Sequence, residues 1–257
     1  MSAAWLAVVI PSFNEAERLP WLLADLAAGP ADLIAELVVV DGGSRDGTAQ
    51  LARLGGAQLL HCPAGRGLQL QRGVAATTAP WLLLLHADCR LQPGWAAALQ
   101  RAITRSEAAW AFDLRVEGNG LALRVLEHAV RLRSQLRQLP YGDQGLLLPR
   151  SLLQRAGGIP ALPLMEDLVL VQRLQRLARI RRLGCPLRVN GRRWQRHGVL
   201  GTAWRNAQLR RAWRRGNSAE QLAQRYYARD GENGPASPEW DHEIAGRSHG
   251  QAGAAEP

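Results

Sequence analysis

At 257 residues, 47% hydrophobic and 21% charged, the chain is long enough and apolar enough to bury a full core, which excludes a disordered protein. All 32 basic residues are arginine and the net charge is +10. Cys62, Cys89 and Cys185 lie far apart, with no pair at metal-ligand spacing and no even framework, which argues against a zinc site and favours a reducing compartment.

In chain order, short apolar runs alternate with helical periodicity, as buried parallel strands and crossover helices do. Strands are predicted over 6–10, 37–40, 59–61 and 81–85, each followed by a helix: 15–28, a short one from Asp46, 67–78, and one opening near Pro93 and running to 105. Four such units predict an open, mostly parallel, twisted α/β sheet with helices on both faces. The second half reads as a strand over 108–116, a helix over 121–138, a strand over 141–148 preceded by a Gly-Asp-Gln turn, a helix over 166–178, one or two short strands over 180–189, and basic helices over 203–215 and 219–228. Residues 1–230 are expected to form a single domain, with a nucleotide-binding half (1–105) and an acceptor half (106–230). The polar stretch 231–257 is expected to be a disordered tail.

Ligands of open α/β sheets bind beyond the carboxyl ends of the strands, and the polar residues cluster there. Pro11, Ser12, Asn14 and Glu15 end the first strand; they serve either as helix caps or as nucleotide contacts. Asp41 opens the run Asp41-Gly42-Gly43-Ser44-Arg45-Asp46-Gly47-Thr48, which lacks the Gly-Lys-Ser/Thr of a phosphate loop. A carboxylate at that strand tip suits a base or a ribose hydroxyl, whereas Asp46 reads as a helix cap. His86-Ala87-Asp88 leaves the fourth strand, and an Asp there must be solvated, paired or metal-bound. One carboxylate plus a diphosphate is a sufficient site for Mg²⁺ or Mn²⁺. Glu166 and Asp167 open a helix, where acids complement the dipole; alternatively one is a general base.

Between 173 and 215 there are 14 arginines and no acid, a composition that attracts the phosphates of a nucleotide or of an anionic membrane. No nucleic-acid-binding module surrounds them. Within that stretch Arg192-Arg193-Trp194-Gln195-Arg196-His197 joins cations, an aromatic ring and a ligating imidazole. The longest apolar run, 79–85, is far below the roughly 20 residues of a membrane span. A cytoplasmic protein, peripheral at the inner membrane face, is therefore expected.

Taken together and in order, these motifs resemble the family-2 glycosyltransferases of the GT-A fold, over roughly residues 6–230. Val8 to Glu15 looks like the opening motif, whose residues contact the nucleotide. Asp41 falls where the family binds the base, and Arg66 in its basic loop near the nucleotide. His86-Ala87-Asp88 is similar to Asp-x-Asp, which implies Asp88 as the metal residue, with His86 in place of the first Asp. Met165-Glu166-Asp167 is similar to the Glu-Asp motif, which implies Asp167 as catalytic base. Asn190-x-x-Arg193-Trp194 is similar to the Gln-x-x-Arg-Trp of processive members. With Tyr141-Gly142-Asp143-Gln144-Gly145, the set resembles a small soluble bacterial branch associated with selenium and radical-SAM genes.

The resemblance implies an inverting, hexosyl-type transfer from a UDP- or GDP-linked sugar to an undefined hydroxyl acceptor. Mn²⁺ or Mg²⁺ would sit on Asp88, with His197 as a second candidate ligand and Arg66, Arg193 and His86 near the nucleotide. Asp143, Gln144, Glu166 and Trp194 would contact the acceptor or the donor sugar. Contact with an anionic membrane is expected; nucleic acid is not. A polyprenyl-phosphate sugar transferase, a nucleotidyltransferase and a non-catalytic nucleotide-binding protein are the alternatives.

Overall fold

The computed structural model describes residues 4–104 and 108–230. The tail expected over 231–257 and the helix end expected at 105 lie outside the described residues.

Leu6–Ser12 (β1) is buried at every position, because helices cover both of its faces. Leu6, Val8 and Ile10 point to one side and Ala7 and Val9 to the other, so the strand period of two divides the core into two layers. The remaining strands of the first half are Ile34–Asp41 (β2), Gln58–His61 (β3), Trp81–Leu84 (β4) and Cys89–Leu91 (β5). Its helices are Leu19–Ala27 (α1), Thr48–Leu54 (α2), Arg66–Ala75 (α3) and Trp95–Ile103 (α4). The second half supplies Ala109–Val116 (β6), Leu121–Arg137 (α5), Leu146–Pro149 (β7), Arg150–Arg155 (α6), Glu166–Gln175 (α7) and Ile180–Val189 (β8). Arg192–His197 (α8), Val199–Arg214 (α9) and Ala219–Asp230 (α10) close the described chain.

All eight strands form one sheet in the order β3-β2-β1-β4-β7-β6-β8-β5. The pairs β1–β2, β2–β3, β1–β4 and β6–β8 are parallel; β4–β7, β6–β7 and β5–β8 are antiparallel. The expected mostly parallel α/β sheet is thus observed, with antiparallel pairings introduced by the second half. One layer packs α1, α4 and α5 through Leu22, Leu99 and Leu123; the other packs α3, α6 and α7 through Leu70, Leu153 and Leu174.

Several elements differ from expectation. α1 begins at Leu19 rather than near 15, because Pro20 fits only the first turn and residues 15–18 form a turn on the Glu15 carbonyl. Over 141–148 the expected Gly-Asp-Gln turn is observed as a 3₁₀ turn, Gly142–Gln144, and the strand is confined to β7. Gln144 anchors that turn: its side-chain NH₂ donates to the Phe112 carbonyl, and its amide oxygen accepts from the Tyr141 N–H and the Ser134 hydroxyl. Residues 180–189 form one ten-residue strand that pairs on both edges.

Candidate active site

Two loops at the carboxyl ends of β1 and β2 are clipped together by side-chain hydrogen bonds. The Asn14 N–H donates to Ser44 Oγ (2.8 Å) and the Arg45 N–H to Asn14 Oδ1 (2.9 Å). The Glu15 N–H donates to Thr48 Oγ1 (2.8 Å) and the Ala16 N–H to Asp46 Oδ2 (3.0 Å). Asp41 is buried at the β2 tip, where it accepts the Gly43 and Ser44 N–H groups (3.0 Å each) and the Ser44 hydroxyl. Gln69 of α3 spans both strand ends, donating to the carbonyls of Ser12 (2.9 Å) and Val40 (2.8 Å). Asn14 and Asp41 therefore organise the loops and do not line the cavity, whereas Pro11, Ser12 and Glu15 do.

That cavity, of about 390 Å³, is the size of a small-molecule site. One wall comes from the strand ends, with Pro11, Ser12, His86 and Asp88; another comes from Asp143 and the start of α7, with Asp167. Asn190, Arg192 and Trp194 line it beside α8, and Thr202, Asn206, Arg210 and Tyr226 reach it from α9 and α10. Arg192 approaches Glu15 across it, with Nη2 3.7 Å from Oε2. Arg193 lies on α8 between two lining residues. His197, at the end of that helix, is not among the lining residues.

Arg66 joins the two walls. Its Nε pairs with Glu166 Oε1, its Nη1 meets His86 Nε2 at 3.0 Å, and its Nη2 lies 3.7 Å from Asp167 Oδ2. A guanidinium only donates, so His86 Nε2 accepts and the ring proton resides on Nδ1. Glu166 is buried, and burial raises its pKa against the pull of Arg66. It stands behind the cavity as the partner of Arg66.

Asp167 is oriented by backbone. The Gly142 N–H donates to Oδ2 (2.7 Å) and the Leu168 N–H to Oδ1 (2.8 Å). Gly142 allows this approach, since a Cβ there would meet His86 Nε2 at 3.1 Å and Asp167 Oδ2 at 3.2 Å. Asp143 stands beside it with Oδ1 buried and without a hydrogen-bond partner among the described residues. Its pKa is pushed up to about 6, first by burial and also by Asp167, against the attraction of Arg133. Arg133 itself lies 3.7 Å over the Tyr141 ring, and burial lowers its pKa. Gln144, next in sequence, is buried in the hydrogen bonds that fix this turn and does not line the cavity.

Asn14 and Met165 flank the site with left-handed backbone (φ 53° and 69°), which Asn adopts readily and Met only under strain. The first turns of α3 and α7 bring Arg66 to Glu166 and Asp167 across about 100 residues. The strand-end residues, Asp88, Asp143 and Asp167 were all legible as polar residues at element ends. Gln69 and the α9–α10 wall were not. A buried amide inside a helix that is otherwise apolar on that face was the available signal for Gln69, while Thr202, Asn206 and Tyr226 carry no local signature.

In open α/β sheets ligands bind beyond the carboxyl ends of the strands, and this carboxylate-lined cleft lies there, as the ligand site of an α/β enzyme does. The sequence pattern of glycosyl transferase family 2 matches residues 7–144, more than half of the chain, and the chain belongs to that family. An uncharacterised glycosyltransferase of Mycobacterium tuberculosis is 38% identical over 95 residues, which cover 37% of this chain and 41% of the relative. A PGL/p-HBAD biosynthesis glycosyltransferase of the same organism is 37% identical over 95 residues, 34% of this chain and 37% of the relative. The matched part of the chain thus spans about two fifths of the length of these relatives. Among solved structures, glucosyl-3-phosphoglycerate synthase of M. tuberculosis, in complex with Mn²⁺, UDP and glucosyl-3-phosphoglycerate, superposes with a TM-score of 0.53. It is 24% identical and 71% of each chain is covered, which shows the shared GT-A fold.

Proposed function

We propose that the protein is a glycosyltransferase of hexosyl type, moving a sugar from a UDP- or GDP-linked donor to an acceptor hydroxyl with inversion. The observation that carries the reading is that Asp88 and Asp167, from the two halves of the chain, line one cavity of nucleotide size. The solved synthase that shares the fold binds Mn²⁺ and UDP together, which supports a donor of this class.

The residues fit a divalent ion held jointly with a ligand. No group of three His, Cys, Asp or Glu side chains among the described residues could enclose a metal. A hard cation here would take one carboxylate, Asp88, and complete its shell from diphosphate and water oxygens. His197, outside the lining residues, is not required. When bound, such an ion would offset charge on the leaving diphosphate.

Ser12, Glu15 and His86 would contact the nucleotide above the Asp41 turn. Arg66 and Arg192, with Arg193 on the same helix, would counter the phosphate charge. Asp143 and Trp194 would position the donor sugar and acceptor. Asp167, held by two backbone N–H groups, would take the proton from the acceptor hydroxyl as that oxygen attacks the anomeric carbon. Glu166 would act through Arg66, fixing its guanidinium between the two walls.

Slow transfer to water tests the stereochemistry without an identified acceptor. With an α-linked UDP- or GDP-sugar, proton NMR at early time should show the β-anomer appearing first. Initial release of the α-anomer would contradict inversion.

A further inference from the structure

α5 carries two apolar faces. Leu123 and Val130 turn inward and are buried, as a helix packed on a sheet requires. Leu121, Val125, Leu132 and Leu136 point away from the core, with Leu121 and Leu136 exposed by 79% and 76%. At about 100° per residue these four fall within an arc of about 60°, a continuous stripe along the helix. α9 repeats the arrangement: Leu200 is 85% exposed and Trp204 65%, and helical spacing places exposed Arg211 on the same arc, with Arg214 at its edge.

The two helices pack against each other, and Arg133 of α5 and Arg210 of α9 lie over the same Tyr141 ring. Their charges are nearly all of one sign. α9 has four arginines and no acid, and the one acid of α5, Glu127, is buried against Arg115 and Arg124.

A second copy on this surface would set arginine against arginine, and a nucleic acid would leave the leucine stripe in water. An anionic bilayer satisfies both features: apolar side chains enter the boundary between headgroups and acyl chains while arginines reach lipid phosphates. We propose that the α5–α9 face is a peripheral docking surface for an anionic lipid bilayer. No helix among the described residues is long and apolar enough to cross one. α9 contributes Thr202, Asn206 and Arg210 to the cavity from its side opposite this arc, so docking would leave the helix between the bilayer and the site.

Co-sedimentation of the full chain with vesicles tests this independently of any transferase activity. At low salt the protein should pellet with phosphatidylcholine vesicles containing about one third phosphatidylglycerol, and not with phosphatidylcholine alone. Leu132→Gln combined with Leu136→Gln, both at exposed positions, should weaken binding at least about tenfold while leaving the far-ultraviolet spectrum and melting temperature unchanged. Arg211→Gln with Arg214→Gln should weaken it about fivefold per arginine. Three results would overturn the proposal: no pelleting at low salt, full binding by the leucine variant, or lipid-independent self-association that the leucine variant abolishes.

Discussion

Asp143→Asn should make the protein more stable at neutral pH. Burial raises the Asp143 carboxyl from its ordinary 3.8 to about 6, so the folded chain holds this proton more tightly than the unfolded chain. Between those two values the folded state binds more protons; stability therefore falls as pH rises through the window, and above about 6 the whole penalty is present. A shift of about two units at 1.36 kcal/mol each amounts to about 3 kcal/mol, which Asn, carrying no charge, would recover. For a chain of this size that is a rise in melting temperature of about 6–12 °C at pH 7.5. Near pH 4 the advantage should shrink towards zero. Melts of both proteins followed by circular dichroism from pH 4 to 8, without nucleotide or metal, measure it directly. A variant that is no more stable at pH 7.5, or that keeps the wild-type pH profile, would refute the reasoning. The expected result also explains why a charge is kept there at a cost: a buried carboxylate facing a ligand cavity is retained for what it binds.

Two further substitutions probe the frame and the chemistry. Asp167→Asn keeps the shape and should lower kcat by about 10²–10⁴-fold in the NMR assay while leaving nucleotide affinity within about twofold; near-normal turnover would remove Asp167 as the base. Gly67→Ala should destabilise by about 1–3 kcal/mol in denaturant unfolding, since its Cβ would meet the Pro160 and Leu162 carbonyl oxygens and lie 2.7 Å from the Leu162 N; unchanged stability would show that the 160–162 loop yields freely.

The sheet was legible because β1, β4 and the Leu37 to Val40 half of β2 read as unbroken, largely buried apolar runs, and helical periodicity between them fixed the alternation. β5 was not, because three residues carry no periodicity and its pairing with β8 lies about 100 residues away. The short helices α6 and α8 were missed for the same reason of length. In the site, Asp88 stood out as an acid leaving an apolar strand and Asp167 as an acid opening a helix. For Asn14 and Asp41 the sequence could not separate loop clip from ligand contact, because both use the same side-chain oxygens. The arginine-rich stretch announced affinity for anions, yet which of its residues face the cavity depends on how α8, α9 and α10 fold back over the strand ends.

The central claim is a nucleotide-diphosphate site completed by a divalent ion on Asp88. Thermal denaturation with UDP and GDP, each with and without Mn²⁺, tests it most directly, since a ligand bound only to the folded state raises the melting temperature by mass action. The melting temperature should rise with one nucleotide only when Mn²⁺ is present, and the rise should disappear in Asp88→Ala. A rise that is equal without metal, or that survives Asp88→Ala, would contradict the claim.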